Sequence, residues 1–337
     1  MLEVDGGDGG GQLVRTALSL AMLDGEPVEI TDVRGTRSTP GLKPQHLAAV
    51  ETAAAVCDAT VEGAEQGSET VRFEPGTPSG GRYEVDIGTA GSLTLLFDTL
   101  LPLATRIDEP LTLTATGGTD VKWSPPLDYY REVKIPLLRR LGIAATVDCE
   151  RTGFYPAGGG RATLRLWPST LSPLDLVEPG RPTAARVYSK ASADLADGDV
   201  AERQADAATD AIAGLGVQVV HHRTAYAAAE SSGSVVTVRV DAGGSPVGFD
   251  AYGAPAKPAE DVAREASDAI RRWRESGAAV DAHLADQLLV FLALAGGRLS
   301  IPRVTNHVSS NRDLLAAFGR EVTVDESGRA PALVADR

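Results

Sequence analysis

Hydrophobic and polar positions change period along the chain in an order that occurs twice. Residues 2–5 read as a strand. After a glycine-rich turn, 12–23 are apolar on nearly every face, which predicts a buried helix. A strand at 27–33, a helix at 44–57 and strands at 59–63 and 70–73 complete the first block. The second block repeats the order with a strand at 82–87, a helix at 91–104, a strand at 110–116, a helix at 127–141 and strands at 144–150 and 161–167. Both blocks open with Val-Asp, at Val4-Asp5 and Val85-Asp86, and Val280-Asp281 opens a third. There a helix at 283–295, a strand at 298–304, a helix at 310–318 and strands at 321–324 and 331–334 follow, with no leading strand evident.

A β-α-β-α-β-β unit has one apolar sheet face, covered by two helices, and packing three copies together buries the helices mutually. The expected fold is therefore α+β: three repeated β-α-β-α-β-β units packed with helices inside, plus a smaller inserted α/β domain. The insert, 183–278, reads as strand, polar helix, three strands and a charged helix, flanked by Glu178-Pro-Gly-Arg-Pro182 and Gly277. The repeated core then comprises 1–182 and 279–337.

The chain has 337 residues and a formal charge of −14, ordinary globular proportions that exclude a disordered polymer. No apolar run reaches the ~20 residues of a membrane span, and the start lacks a basic, then apolar, leader, so a cytoplasmic protein with no membrane partner is expected. Five lysines stand against 27 arginines, a lysine-poor, acidic surface that suits a high-salt cytoplasm. Such a charge does not favour nucleic acid overall, so any contact with it must rest on local basic clusters. Cys57 and Cys149 are too few for a disulfide framework or a multi-cysteine zinc site and are expected to pack inertly.

Common signatures are absent: no lysine precedes Ser or Thr as in a P-loop, and no histidine precedes Glu as in a metalloprotease helix. The run Gly6-Gly7-Asp8-Gly9-Gly10-Gly11, between strand and helix, can turn backbone N–H groups onto an anion. Asp8 could hold a metal there and Arg15 neutralise charge; the same run could equally be a tight turn with Asp8 as cap. Arg34, Arg37 and Lys43, with Gln45 and His46 at a helix start, suit a phosphate backbone or a solvated salt-bridge loop. His307, in Thr305-Asn-His-Val-Ser-Ser-Asn311, lies between a strand end and a helix start. A neutral imidazole there is a competent nucleophile toward phosphorus, or simply a loop histidine.

Together these blocks resemble the RNA 3′-terminal phosphate cyclase family, in its true-cyclase branch and with an archaeal, halophile-like composition. The resemblance runs through Asp5-Gly6…Gly9-Gly-Gly-Gln-Leu-Val-Arg15, Arg34-Gly-Thr-Arg37…Gln45-His46-Leu47, Gly88-Thr-Ala-Gly-Ser92, Gly117-Gly-Thr119…Pro125-Pro126…Asp128-Tyr129, Gly153-Phe-Tyr-Pro-Ala-Gly-Gly-Gly160, His283-Leu-Ala-Asp-Gln287 and His307, in order. It implies an ATP-dependent ligase that converts an RNA 3′-phosphate to a 2′,3′-cyclic phosphate through a histidine–AMP on His307 and an RNA-ppA anhydride. By the same resemblance Pro125, His283, Leu284, Ala285, Asp286 and Gln287 line the nucleotide pocket, while Arg15, Arg34, Arg37 and Gln45 meet phosphate or RNA. Asp8 meets Mg²⁺ or Mn²⁺, and a monomer or homodimer acts on ATP and on RNA with a 3′-phosphate.

Two departures stand out: Asp8 replaces the family's glutamate in a loop two residues shorter, and Asp98 falls where the family has an ATP-contacting glutamine. An anion at 98 loses amide donors and needs compensation. The rival readings are a non-catalytic cyclase-like protein of ribosome or RNA assembly, against which His307 argues, and an enolpyruvyl transferase, whose architecture has six repeat units rather than three.

Overall fold

The computed structural model describes residues 1–7, 10–243 and 245–336. β1 (Leu2–Asp5) leads into α1 (Gly11–Asp24), in which every residue from Leu13 to Leu23 except Arg15 is buried. That single polar interruption points the Arg15 side chain toward the site described below. Gly25, in the left-handed region at φ 71°, closes the helix. β2 (Val28–Thr31), α2 (Pro44–Cys57), β3 (Thr60–Glu62) and β4 (Val71–Glu74) follow. β1 and β2 run parallel, β4 and β3 add antiparallel, and the order is β1-β2-β4-β3.

The next stretch holds β5 (Gly81–Asp86), α3 (Leu93–Leu100) continued by a 3₁₀ turn to Thr105, β6 (Leu111–Gly117), α4 (Leu127–Tyr129), α5 (Ile135–Arg140), β7 (Ala145–Arg151) and β8 (Gly160–Leu166). Strict alternation in β6 buries Leu111, Leu113 and Ala115 on one face. The sheet order is β5-β6-β8-β7. Between α4 and α5 the backbone widens into a π-helical turn at Tyr130–Lys134. Pro136 has no N–H for the carbonyl of Glu132, which instead accepts from Arg239 at 2.7 Å.

A short strand, β9 (Leu174–Leu176), precedes β10 (Pro182–Ser192), α6 (Val200–Gly214), β11 (Val219–Ala227), β12 (Ser234–Ala242), β13 (Ser245–Tyr252) and α7 (Ala259–Ser276). These strands form a separate sheet of order β11-β10-β12-β13, without β9. The chain ends with α8 (Ala282–Gln287), α9 (Leu289–Ala295), β14 (Gly297–Ser300), α10 (Asn306–Ala317), β15 (Thr323–Asp325) and β16 (Ala332–Ala335). β9 pairs parallel with β14, in a sheet of order β15-β16-β14-β9. The pattern did not reveal β9, which is three residues long and separated from its partner by some 120 residues of chain.

The architecture is thus mixed α/β, with four small mixed sheets and ten α-helices among the described residues. α1 packs on α2, α3 and α10, so helices meet helices at the centre. One hydrophobic cluster joins the three outer sheets and these helices; a second lies between the β10–β13 sheet and α6 and α7. The two bodies of structure meet across buried charge. Lys190 reaches Asp120 at 3.0 Å and Asp128 at 3.1 Å, and Arg223 reaches Asp128 at 2.9 Å. Burial opposes these charges, yet the two aspartates raise the Lys190 ammonium above its ordinary value, and Lys190 with Arg223 hold Asp128 below its own. Two element boundaries also differ from expectation. The 283–295 helix breaks at Leu288 into α8 and α9, and α10 begins four residues earlier than its apolar pattern, because Thr305 caps Val308 N–H at 3.2 Å. Among the described residues no helix is long and apolar enough to cross a membrane.

Candidate active site

One cavity gathers side chains from both ends of the chain: Gln12, Arg15, Thr16 and Ser19 of α1; Leu95 and Asp98 of α3; Trp123, Pro125 and Lys134; His283, Asp286 and Gln287 of α8; Val290 and Phe291 of α9; and His307 of α10. His307 sits in the first turn of α10 rather than in the loop before it, because the cap at Thr305 starts the helix early. The ring is exposed, and its Nδ1 contacts the side-chain oxygen of Gln12. With Nδ1–H given to that oxygen, Nε2 keeps its lone pair free for an electrophile. The N-terminus of α10 adds a favourable field for negative charge.

Arg15 is the one basic side chain on α1. Burial pushes its guanidinium below its ordinary value, against the pull of Asp98 and Asp286. Asp98 does not stand alone: Lys134 Nζ lies 2.5 Å from its Oδ1, and the Tyr130 hydroxyl donates to the same oxygen at 2.7 Å. The Lys134 side chain is 1% exposed and its ammonium lies 5.1 Å from the Tyr130 ring centre. Burial lowers the Lys134 ammonium and Asp98 raises it. The anion that replaces an amide in the resembling family therefore carries its own counterion, supplied by the π-helical turn, whose i and i+4 side chains both reach it. Burial raises Asp286, while His283, His307 and Lys134 oppose the rise. Gln287 lines the cavity and has its side-chain oxygen buried without a partner among the described residues, an acceptor left unsatisfied at the cavity wall.

His283 lies 2.9 Å from Asp250 and edge-on to Tyr129. Its neighbours Leu284 and Ala285 turn into the core and do not line the cavity. Arg34, Arg37 and Gln45 also lie outside the lining. Arg34 Nη1 donates to the carbonyls of Thr39 and Gly41, at 2.9 and 3.0 Å, and so braces its own loop. Gln45 accepts from Ser92 N–H at 2.8 Å and anchors the start of α3. Arg37 is exposed and packs over Gly10. His46 is buried beneath this loop. Burial, then Arg15, Arg34 and Lys43, lower its pKa to about 3, so it is a neutral wedge against Gly11. Asp8 and Gly9 lie outside the described residues, and the expected metal contact at Asp8 with them. Both thiols are free, and burial raises Cys57 to about 11.

Three cavity residues, or supports of them, carried no sequence motif, Trp123, Lys134 and Asp250, and Gln12 stood in the glycine motif with no role assigned to it. A signal for Lys134 existed, since it is one of only five lysines and adjoins the apolar run from Ile135 to Leu138. Trp123 is 94% exposed and holds a left-handed backbone at φ 65°, a strained position for a bulky residue at the rim of a cavity. Nothing in the local pattern foretells that.

The class of protein is set by a family profile, RNA 3′-terminal phosphate cyclase, which matches residues 6–324. The chain belongs to that family. It is 46% identical to the RNA 3′-terminal phosphate cyclase of Halobacterium salinarum, over 97% of each chain. It is 41% identical to the protein of the same name from Pyrobaculum neutrophilum, over 94% of this chain and 92% of that one. With the protein so named from Ectopseudomonas mendocina it shares 40% identity, over 94% and 92%.

Proposed function

We propose that this chain is an ATP-dependent RNA 3′-terminal phosphate cyclase acting through His307. Nε2 attacks the α-phosphorus of ATP, the bond to the β-phosphate oxygen breaks, and pyrophosphate leaves behind a histidine–AMP phosphoramidate. The RNA 3′-phosphate oxygen then attacks that phosphorus, the P–N bond breaks, and the anhydride RNA-ppA forms. The neighbouring 2′-hydroxyl attacks the activated phosphate, loses its proton and expels AMP, closing a five-membered ring. The closure is intramolecular, but a bare phosphate monoester has no adequate leaving group; adenylation provides one. Arg15 and the start of α10 meet the phosphates, Lys134 adds positive charge, and Gln287 and Pro125 meet the base. Arg34, Arg37 and Gln45 form the approach for RNA. A divalent ion, Mg²⁺ or Mn²⁺, would come with the nucleotide substrate, and Asp8 would be the residue that holds it.

The observation that carries this reading is the exposed His307 imidazole, oriented by Gln12 and sharing one cavity with Arg15, Lys134 and the unpaired Gln287. A non-catalytic assembly role has no such support. We also read the three outer sheets as copies of one β-α-β-α-β-β unit with helices inside, since each places its leading strand beside the second, then the fourth, then the third. On this reading 183–278 is an inserted α/β domain within a core of 1–182 and 279–337. Incubation with α-labelled ATP and Mg²⁺ tests the chemistry: the protein takes up acid-labile, alkali-stable label, His307→Ala takes up none, and label retained by His307→Ala refutes the assignment.

A further inference from the structure

His283 is held from outside the cavity it lines. Its Nε2 lies 2.9 Å from Oδ1 of Asp250 on β13, a carboxylate only 8% exposed. The same strand donates Gly248 N–H to Asp281 Oδ2 at 2.8 Å. The other oxygen of Asp281 caps α8 by accepting from His283 and Leu284 N–H, at 2.9 and 3.0 Å, and also takes the Tyr129 hydroxyl at 2.7 Å. The first turn of α8, with the side chains it carries into the cavity, is therefore braced by the β10–β13 sheet. Among the described residues that sheet lends no lining residue of its own.

Three carboxylates bear on the ring. Asp250 faces it from β13, Asp281 from the cap of α8 and Asp286 from one turn along α8, while the Tyr129 ring of α4 packs edge-on and gives its hydroxyl proton to Asp281. Burial raises Asp281 and Asp286, and Asp281 is satisfied by four donors, so Asp250, buried and 2.9 Å from the ring, is the carboxylate that most directly favours a cationic His283. Burial works against that cation, yet Asp250, then Asp281 and Asp286, lift the His283 pKa to about 9. Nε2–H is committed to Asp250, so the ring face and the Nδ1 edge are what the cavity meets. Gln287 lies four residues along the same face of α8.

Taking the cavity as the ATP site, we infer that Asp250 is a positioning residue for the nucleotide. It fixes His283 as an imidazolium stacked against the adenine base, which makes the β10–β13 sheet an integral part of ATP binding. A cation over a π face gains attraction that a neutral ring does not. Gln287, on the same helix face, offers its unpaired oxygen to the exocyclic amine.

The test is Asp250→Asn in self-adenylation with α-labelled ATP and preformed adenylate transfer to RNA. With the His283 value returned toward its ordinary ~6.5, the half-saturating ATP concentration at pH 8 rises at least about tenfold. Saturating rate and AMP transfer stay within about twofold, because the substitution acts on ground-state binding. In the unaltered protein ATP affinity holds to about pH 9; in the variant it falls above about pH 7. His283→Phe raises half-saturation and abolishes this pH dependence, and Asp250→Asn adds nothing in that background. The His283→Phe result also decides the matter if Asp250→Asn does not fold. An unmoved half-saturation in a folded Asp250→Asn, or an equal loss in the His283→Phe background, overturns the inference while the proposed reaction stands. Absence of label in the unaltered protein overturns the proposed reaction, and this inference with it.

Discussion

Lys134→Met strips the cavity of one buried ammonium while keeping the stem that packs beside Tyr130. Asp98, with a side chain 17% exposed, then keeps only the Tyr130 hydroxyl. Removing one partner of a buried ion pair costs about 3–5 kcal/mol; the remaining hydroxyl and partial exposure of Asp98 reduce this to about 2–3 kcal/mol. Pairing the substitution with Asp98→Asn removes the stranded charge as well, so the double variant is more stable than the sum of the singles by about 1.5 kcal/mol or more. Denaturant midpoints of the four proteins, with slopes compared, measure this. ATP binding moves too: a unit charge at roughly 10 Å from the phosphates, at an effective dielectric of about 20, is worth about 1.7 kcal/mol, or a ten- to twentyfold rise in half-saturating ATP. A neutral Lys134→Met, or strictly additive substitutions, would refute the claim that Lys134 is the counterion that makes Asp98 tolerable.

Gln12→Leu removes the oxygen that holds His307 Nδ1–H, and self-adenylation at saturating ATP slows about 10- to 100-fold with stability little changed; single-turnover labelling reads it. Gly11→Ala places a Cβ 2.0 Å from His46 Nε2, and the displaced ring or helix start costs about 1–3 kcal/mol in a denaturant titration. His46 titrates at about 3 when folded and near its ordinary ~6.5 when unfolded, so below about pH 6.5 the unfolded chain takes up the proton first. Stability therefore falls with pH through this window, by about 2 kcal/mol at pH 5, and His46→Leu flattens that part of the acid limb measured by denaturation at stepped pH.

Periodicity located most elements because their burial is one-sided or complete: β6 alternates strictly, and α1 is buried from Leu13 to Leu23 except at Arg15. β9 escaped it because three residues carry too little pattern, and its partner lies far along the chain. The start of α10 escaped because Asn306 to Ser310 are polar; a Thr305 cap, not hydrophobicity, begins that helix. The site divides in the same way. His307, Arg15, Asp286 and Gln287 stood in recognisable motifs and meet in one cavity. Leu284 and Ala285 share a motif with them, but a helix turns neighbours to opposite sides, and these two face the core. Lys134, Gln12 and Asp250 matter through partners 36, 295 and 33 residues away, distances at which no local pattern carries information.

The central claim is that one ring nitrogen of His307 receives the adenylate. A crystal structure of the protein after incubation with ATP and Mg²⁺ tests it most directly. The account predicts a bond between His307 Nε2 and the AMP phosphorus, with Arg15 at the phosphate and the adenine stacked on His283 with its amine at Gln287. An adenylate carried by any other atom, or bound away from this cavity, would contradict it.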